Sequence, residues 1–388
     1  MRASPGALAR MLAVLAVAGS ALCAGCTAVD YYWQSAQGQY EILARAEPLS
    51  DAIVGAQDDR IKARLELALR VREFATSQLD LPSNGSFQRY ADLGRPFVLW
   101  NVFATPRLSL KPREWCYPIA GCVSYRGYFS EQQAKQEAAL LIAGGDDVYV
   151  GGVPAYSTLG WFDDPVLSTF IRYPETEFAR LIFHELAHQL IYLKGDTVFN
   201  ESYATALSDE GLERWIAAQP PELRAKLDAE RLRGERLRGE FRRLVAGARD
   251  QLAAIYASGV DEDTKRQRKQ AVFADMRAQY ERVKAGEPGL AGFDRWFAGN
   301  DNQGPNNASL AAIALYSDRV PAFRALIDSV HGDLPSFYAK VRKLAALDKP
   351  ARDAALNALA GRTDSTAARR TNTDLAQRVN ISTPPGPK

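Results

Sequence analysis

Most of the chain repeats its apolar positions every three to four residues, the spacing of amphipathic helices, and only two stretches break that rule toward strands. Residues 31–43 and 58–79 read as helices, with Leu67, Val71 and Phe74 on one stripe of the second. Leu81-Pro82-Ser83-Asn84-Gly85 reads as a turn. Pro96 to Ala104 is a continuous apolar run rich in aromatic and β-branched residues, which predicts a buried strand. Asp147 to Leu159 predicts two short strands around Gly151-Gly152. Pro154 there cannot donate a ladder hydrogen bond, which confines the segment to a sheet edge or a bulge.

Phe178 to Leu193 is apolar nearly all round, the mark of a buried helix, and Gly195-Asp196 is expected to stop it. A second helix follows through NESYA to Ala218, so the two form an antiparallel hairpin. From Pro220 to Gly286 the composition turns to dense Arg and Glu, with ERLRG twice in tandem and a break at Ser258-Gly259. This predicts a long charged helical hairpin (219–290) with solvated faces, inserted into the domain. Apolar character returns near Phe293, and residues 320–347 read as a closing amphipathic helical region. The tail from 363 to 388 is polar, ends in PPGPK and is expected to be disordered. The resulting fold class is α+β, predominantly helical, with a small sheet.

Composition adds one exclusion and one address. With 388 residues, 24% charged and a formal net charge of +2, the chain offers no electrostatic case for nucleic acid. Residues 1–26 stand apart. Arg2 and Arg10 flank the start, Met11 to Leu22 is apolar but too short to span a bilayer, and small residues precede Cys26. That pattern resembles a bacterial lipobox, with Cys23 where Leu is usual, and predicts Cys26 as the lipidated first residue of the mature protein. Thr27 rather than Asp after it points to the outer membrane, with the domain facing the periplasm. Export to an oxidising compartment favours pairing Cys116 with Cys122. The domain proper then runs over 27–362.

The chemistry is concentrated in FHELAHQLIYLKGDTVFNESYA, Phe183 to Ala204. Two of the three histidines in the chain, His184 and His188, lie four residues apart with Glu185 beside the first. Side chains at i and i+4 share a helix face, so both imidazoles can point at one ion. This is the HExxH pattern of two zinc ligands and a general base. Buried polar groups need partners, and a satisfied core histidine would explain one of these residues rather than all three. Glu201 is the third candidate ligand, because the hairpin brings it level with His188; Glu210 and His331 are weaker alternatives. Two histidines, one glutamate and an open water position form the catalytic zinc pattern.

Several long strings resemble a family of bacterial lipoproteins described as zinc aminopeptidases. They are WNVFATPRLSLKPREWCYPIAGCVSYRGYF (Trp100 to Phe129), GGVPAYSTLGWFDDPVLSTF (Gly151 to Phe170) and FHELAHQLIYLKGDTVFNESYAT. NNASL, Tyr316 and PAF at Pro321 resemble its C-terminal part. The resemblance covers nearly all of residues 27 to about 350. It implies a zincin-like fold, with Zn²⁺ on His184, His188 and Glu201 and Glu185 as base. NESYA is similar to the NExxA stretch of the aminopeptidase-N family, with a shorter spacer after HExxH.

The function so implied is a lipid-anchored envelope zinc peptidase acting on peptides, an aminopeptidase by the resemblance. Tyr316 is the expected stabiliser of the oxyanion, with Tyr203 and Tyr156 as alternatives. An exopeptidase would also need a carboxylate for the free ammonium, for which Asp163, Asp164, Asp209 and Glu210 are candidates. Two other readings stay open: a zinc endopeptidase, and a non-catalytic envelope scaffold with a structural metal whose charged hairpin binds a protein partner.

Overall fold

The computed structural model describes residues 31–117, 121–299, 304–315 and 319–361. The leader with Cys26, the residue Tyr316 and the tail from 363 lie outside them. Helix α1 (31–45) leads to β1 (Glu47–Pro48), α2 (Leu49–Gly55) and α3 (Asp59–Leu79). Strands β2 (Arg89–Ala91), β3 (Leu99–Pro106), β4 (Trp115–Tyr117), β5 (Gly121–Val123) and β6 (Arg126–Tyr128) precede α4 (Glu131–Ala143), β7 (Asp146–Val153) and β8 (Val166–Leu167). The rest is helical: α5 (Glu175–Leu190), α6 (Thr197–Ala217), α7 (Pro221–Ala257), α8 (Glu262–Gly286), α9 (Asp294–Ala298), α10 (Asn307–Leu315), α11 (Val320–Asp328), α12 (Leu334–Ala345) and α13 (349–361). The fold is predominantly helical with small sheets, as the patterning predicts, and none of the described helices is long and apolar enough to cross a membrane.

The main core gathers α3, α5 and α6 with α11 and α12. Phe178, Phe183, Phe199, Phe323 and Phe337 are each essentially buried in it. Tyr203, weighed as an oxyanion donor, belongs to this core: it is fully buried and stacks on Phe337. Asn200 holds the α5–α6 connection, accepting from the Leu193 backbone N–H at 2.7 Å and donating to the Leu193 carbonyl at 2.8 Å.

Two expected boundaries move. Helix α5 stops at Leu190, because Ile191 is already extended (φ −141, ψ 121). Gly195-Asp196 instead starts the next helix: Gly195 takes φ +81, open to glycine, and the Asp196 carboxylate caps α6 by accepting from Phe199 N–H. The two short strands expected around Gly151-Gly152 are one strand, β7, paired antiparallel with β3 from Leu99↔Val153 to Pro106↔Asp146. The glycines make room rather than a break, since a Cβ on Gly152 would lie 2.3 Å from the Phe97 ring. The sheet order β6-β3-β7 leaves β7 at an edge, and the strand ends before Pro154.

The charged segment does form a helical pair, α7 and α8, with a seam of Phe241, Leu244, Val245, Leu252, Val272 and Met276. Its root packs back on the domain: Leu227 joins the main core, and Arg238 is ion-paired to Glu177 on α5.

Candidate metal centre

Helix α5 presents His184 and His188 on one face, and the fifth residue of α6 adds Glu201 across the hairpin. His184 Nε2 lies 3.2 Å from Glu201 Oε2 and 3.2 Å from His188 Nε2, and His188 Nε2 lies 3.6 Å from Glu201 Oε2. Bonds of about 2.0–2.1 Å to a tetrahedral ion would set its ligand atoms roughly 3.3 Å apart, so the three donors fit a divalent metal. It is the one such group among the described residues. Glu210 is engaged with Arg214 on its own helix, and His331 is not in the group.

The charges in this knot are set by burial against mutual attraction. Burial opposes ionisation of Glu201, yet the His188 charge and hydrogen bonds from both imidazoles hold its carboxyl down to about 2. Burial holds His184 below its ordinary value despite its Glu201 bond. Burial pulls His188 the same way, but Glu201 and Glu185 outweigh it and raise that imidazole. Burial pushes the Glu185 carboxyl up to about 8, with the positive charge of His188 opposing and the negative charge of Glu201 adding. Glu185 is 7% exposed and lies outside the three-donor group.

A cleft of about 490 Å³ opens over these residues. Its lining takes Leu99, Asn101 and Val123 from the strands, Tyr125 from the link between β5 and β6, Ala155, Tyr156, Ser157 and Leu159 from the segment after β7, and Tyr31 and Tyr32 from α1. Cys116 and Cys122 are directly opposed on β4 and β5 and joined as a disulfide, next in sequence to Tyr117 and Val123, which line the cleft. Tyr156, one expected phenol, lines the cleft, and so do Tyr125 and Tyr192, which the sequence reading missed. Burial and the negative charges of Glu201 and Glu185 push the Tyr125 phenol well above its ordinary value. Its only local signal is its position between two short strands in CVSYRGYF.

The four expected ammonium anchors do not line this cleft. Asp164 is buried behind it, accepting from Thr158 N–H and from the Gln189 amide, and burial raises its carboxyl to about 6. Asp163 is exposed, Asp209 pairs with Arg324, and Glu210 with Arg214.

A family model described as "Putative aminopeptidase" matches residues 30–356, and the chain belongs to that family. No curated protein and no solved structure matches it. The family and the His–Glu–His–Glu cluster together support catalytic zinc-peptidase activity in a zincin-like core.

Proposed function

We propose that this protein is a zinc peptidase, an aminopeptidase by family, anchored by lipid at Cys26 in the bacterial outer membrane and facing the periplasm. The observation that carries the reading is the convergence of His184 Nε2, His188 Nε2 and Glu201 Oε2 at 3.2, 3.2 and 3.6 Å, with Glu185 beside them in the same cleft. Bound there, zinc supplies Lewis acidity toward a carbonyl and toward water. The peptide lies along the cleft, with the edge strand β7, whose Val153 lines it, offered for backbone pairing. Glu185 takes the proton of the attacking water and returns it to the leaving amine. A phenol stabilises the oxyanion. Tyr316 keeps that role in the proposal, and Tyr125 is the alternative whose surroundings include both Glu201 and Glu185.

One observation favours a second reading. The carboxylates among the described lining residues are Glu185 and Glu201, so none is spare for a free ammonium, which suits an endopeptidase. A structural zinc usually has four protein ligands rather than three, which argues against the scaffold.

The test has two parts. Purified protein should carry about one zinc per chain; Glu201→Ala should lose it, while Glu185→Gln keeps it and loses hydrolysis. A free-amine aminoacyl reporter, its N-acetylated twin and a quenched peptide blocked at both ends then separate exopeptidase from endopeptidase. Full zinc in Glu201→Ala, or no turnover of any reporter by zinc-loaded protein, overturns the proposal. Cys26→Ser should move the protein from the membrane to the soluble fraction, and unchanged fractionation removes the anchor.

A further inference from the structure

Behind the metal-binding hairpin, where the root of α7 crosses α5 and α6, lies a second cavity of about 410 Å³. Its lining includes Arg180 of α5, Thr205 and Asp209 of α6, Glu235, Arg238 and Arg242 of α7, and Arg324 of α11. Arg180 is four residues before His184 and Thr205 four after Glu201, so each stands about 6 Å along its helix from the donor cluster. Four arginines face two carboxylates in this lining.

The ion pairs account for three of the four. Arg238 pairs with Glu177, which also holds Arg180 at 2.5 Å. Arg180 approaches Asp209 at 3.9 Å, and Asp209 is 3.0 Å from Arg324, which reaches Glu213 at 3.6 Å. Three guanidinium groups are thereby balanced by three carboxylates in one alternating chain. Glu235 is engaged elsewhere, by Arg231 at 2.8 Å. Arg242 is left over: it is a solvent-exposed residue of α7 at the cavity edge, with no hydrogen bond or ion pair among the described residues. Partial desolvation by the surrounding helices, and the charges of Arg238, Arg180 and Arg324, disfavour its charged form, with Asp209 alone opposing. Nor is Arg180 satisfied, since its buried Nε has no hydrogen-bond partner among the described residues. Like charges gathered around a cavity, with donors unspent, call for an anion between them.

We propose that this cavity is an oxyanion-binding site, taking a phosphate-type ion or a side-chain carboxylate between Arg242 and the Arg180–Arg238–Arg324 group. Planar guanidinium forks suit both ligands, since each offers paired oxygens on one face. Occupied, the site ties the charged hairpin to the two helices that carry the metal donors. The site does not depend on peptidase activity, and its test reads binding alone.

The experiment is calorimetric titration of the full chain with inorganic phosphate against chloride at matched ionic strength, for wild type, Arg242→Gln and Arg243→Gln. Arg243 is the control: it is adjacent on α7, pairs with Glu240 at 2.5 Å, and is absent from the cavity lining. Wild type should show saturable binding at one site, weakened about tenfold or more in Arg242→Gln, the loss of one charge-assisted contact, and unchanged in Arg243→Gln. Competition by an acetylated, amidated di-glutamyl peptide supports the carboxylate as ligand. Phosphate saturation without that competition overturns the carboxylate and keeps the free ion. Equal weakening in both variants, or no saturation beyond chloride, overturns the site.

Discussion

Outside the metal centre itself, Asn200 fixes the connection between the two helices that carry its donors. Its side chain is 2% exposed and clamps the α5–α6 connection at Leu193 from both sides. Asn200→Ala removes both bonds. The Leu193 carbonyl keeps a second donor, Asp196 N–H at 3.3 Å, so its loss is near the net worth of one hydrogen bond, about 1 kcal/mol. The Leu193 N–H loses the acceptor that Asn200 supplied, and an orphaned backbone donor costs about 1–3 kcal/mol. The sum is about 2–4 kcal/mol, or a fall of roughly 3–6 °C in Tm for a domain of this size. Because Glu201 is the next residue, a loosened connection also displaces a donor, and zinc affinity should drop about tenfold or more. Thermal melts of the apo protein and competition with a zinc chelator read both effects. A Tm within about 1 °C of wild type for Asn200→Ala would refute the clamp.

Two further outcomes follow from buried charges. Asp164 has its folded pKa raised by burial to about 6, so the folded state holds its proton more tightly than the unfolded chain. Stability from this group is therefore present below its ordinary value near 4 and lost as pH rises through about 6. Asp164→Asn should gain relative to wild type between those limits, by up to about 3 kcal/mol, in urea melts at pH 4 and pH 7.5; a pH-independent difference would reject it. Arg352 of α13 pairs with Asp196, the cap of α6, at 2.8 Å with both side chains 7% exposed. Arg352→Met should cost about 2–4 kcal/mol, less than a fully stranded charge because Lys349 remains 3.7 Å from the carboxylate. Adding Asp196→Asn should restore part of that loss in a double-mutant cycle, and strict additivity would count against the pair.

The donor set was readable because it is local: His184, Glu185 and His188 share one turn of a buried helix, and Glu201 follows across a short connection. The β3 strand was readable because both its faces are buried, which leaves an unbroken apolar run. What could not be read depends on pairing distant segments. The parallel match Tyr90↔Val166 joins β2 to β8 with no local trace. The cleft phenols come from Tyr31, Tyr32, Tyr117, Tyr125, Tyr156 and Tyr192, and only the tertiary fold separates them from Tyr203, which has the same chemistry and serves the core. The glycines of β7 misled for a related reason. A missing Cβ reads as a break along the chain, whereas Gly152 answers to Phe97 across space.

The lining of the cleft, rather than the metal, bears on substrate choice. An aminopeptidase holds its substrate by the free ammonium, and the candidate carboxylates for that task sit elsewhere, in Thr158 and Gln189 contacts or in arginine pairs. What the cleft offers instead is apolar surface: Leu99, Val123, Phe129, Val153 and Leu159 beside the tyrosines. Burying a Leu or Phe side chain there contributes about 1.5–3 kcal/mol, which is roughly 10- to 150-fold in affinity. Blocked peptides with Leu or Phe next to the scissile bond should therefore exceed their Gly counterparts at least about tenfold in kcat/KM. Acidic residues at the same position should be worst, since they would be desolvated beside Glu185 and Glu201 without a cation. Equal turnover of the Leu and Gly peptides would mean that the chain is recognised through its backbone and terminus alone, and the aminopeptidase reading would then stand on an ammonium site outside the described lining.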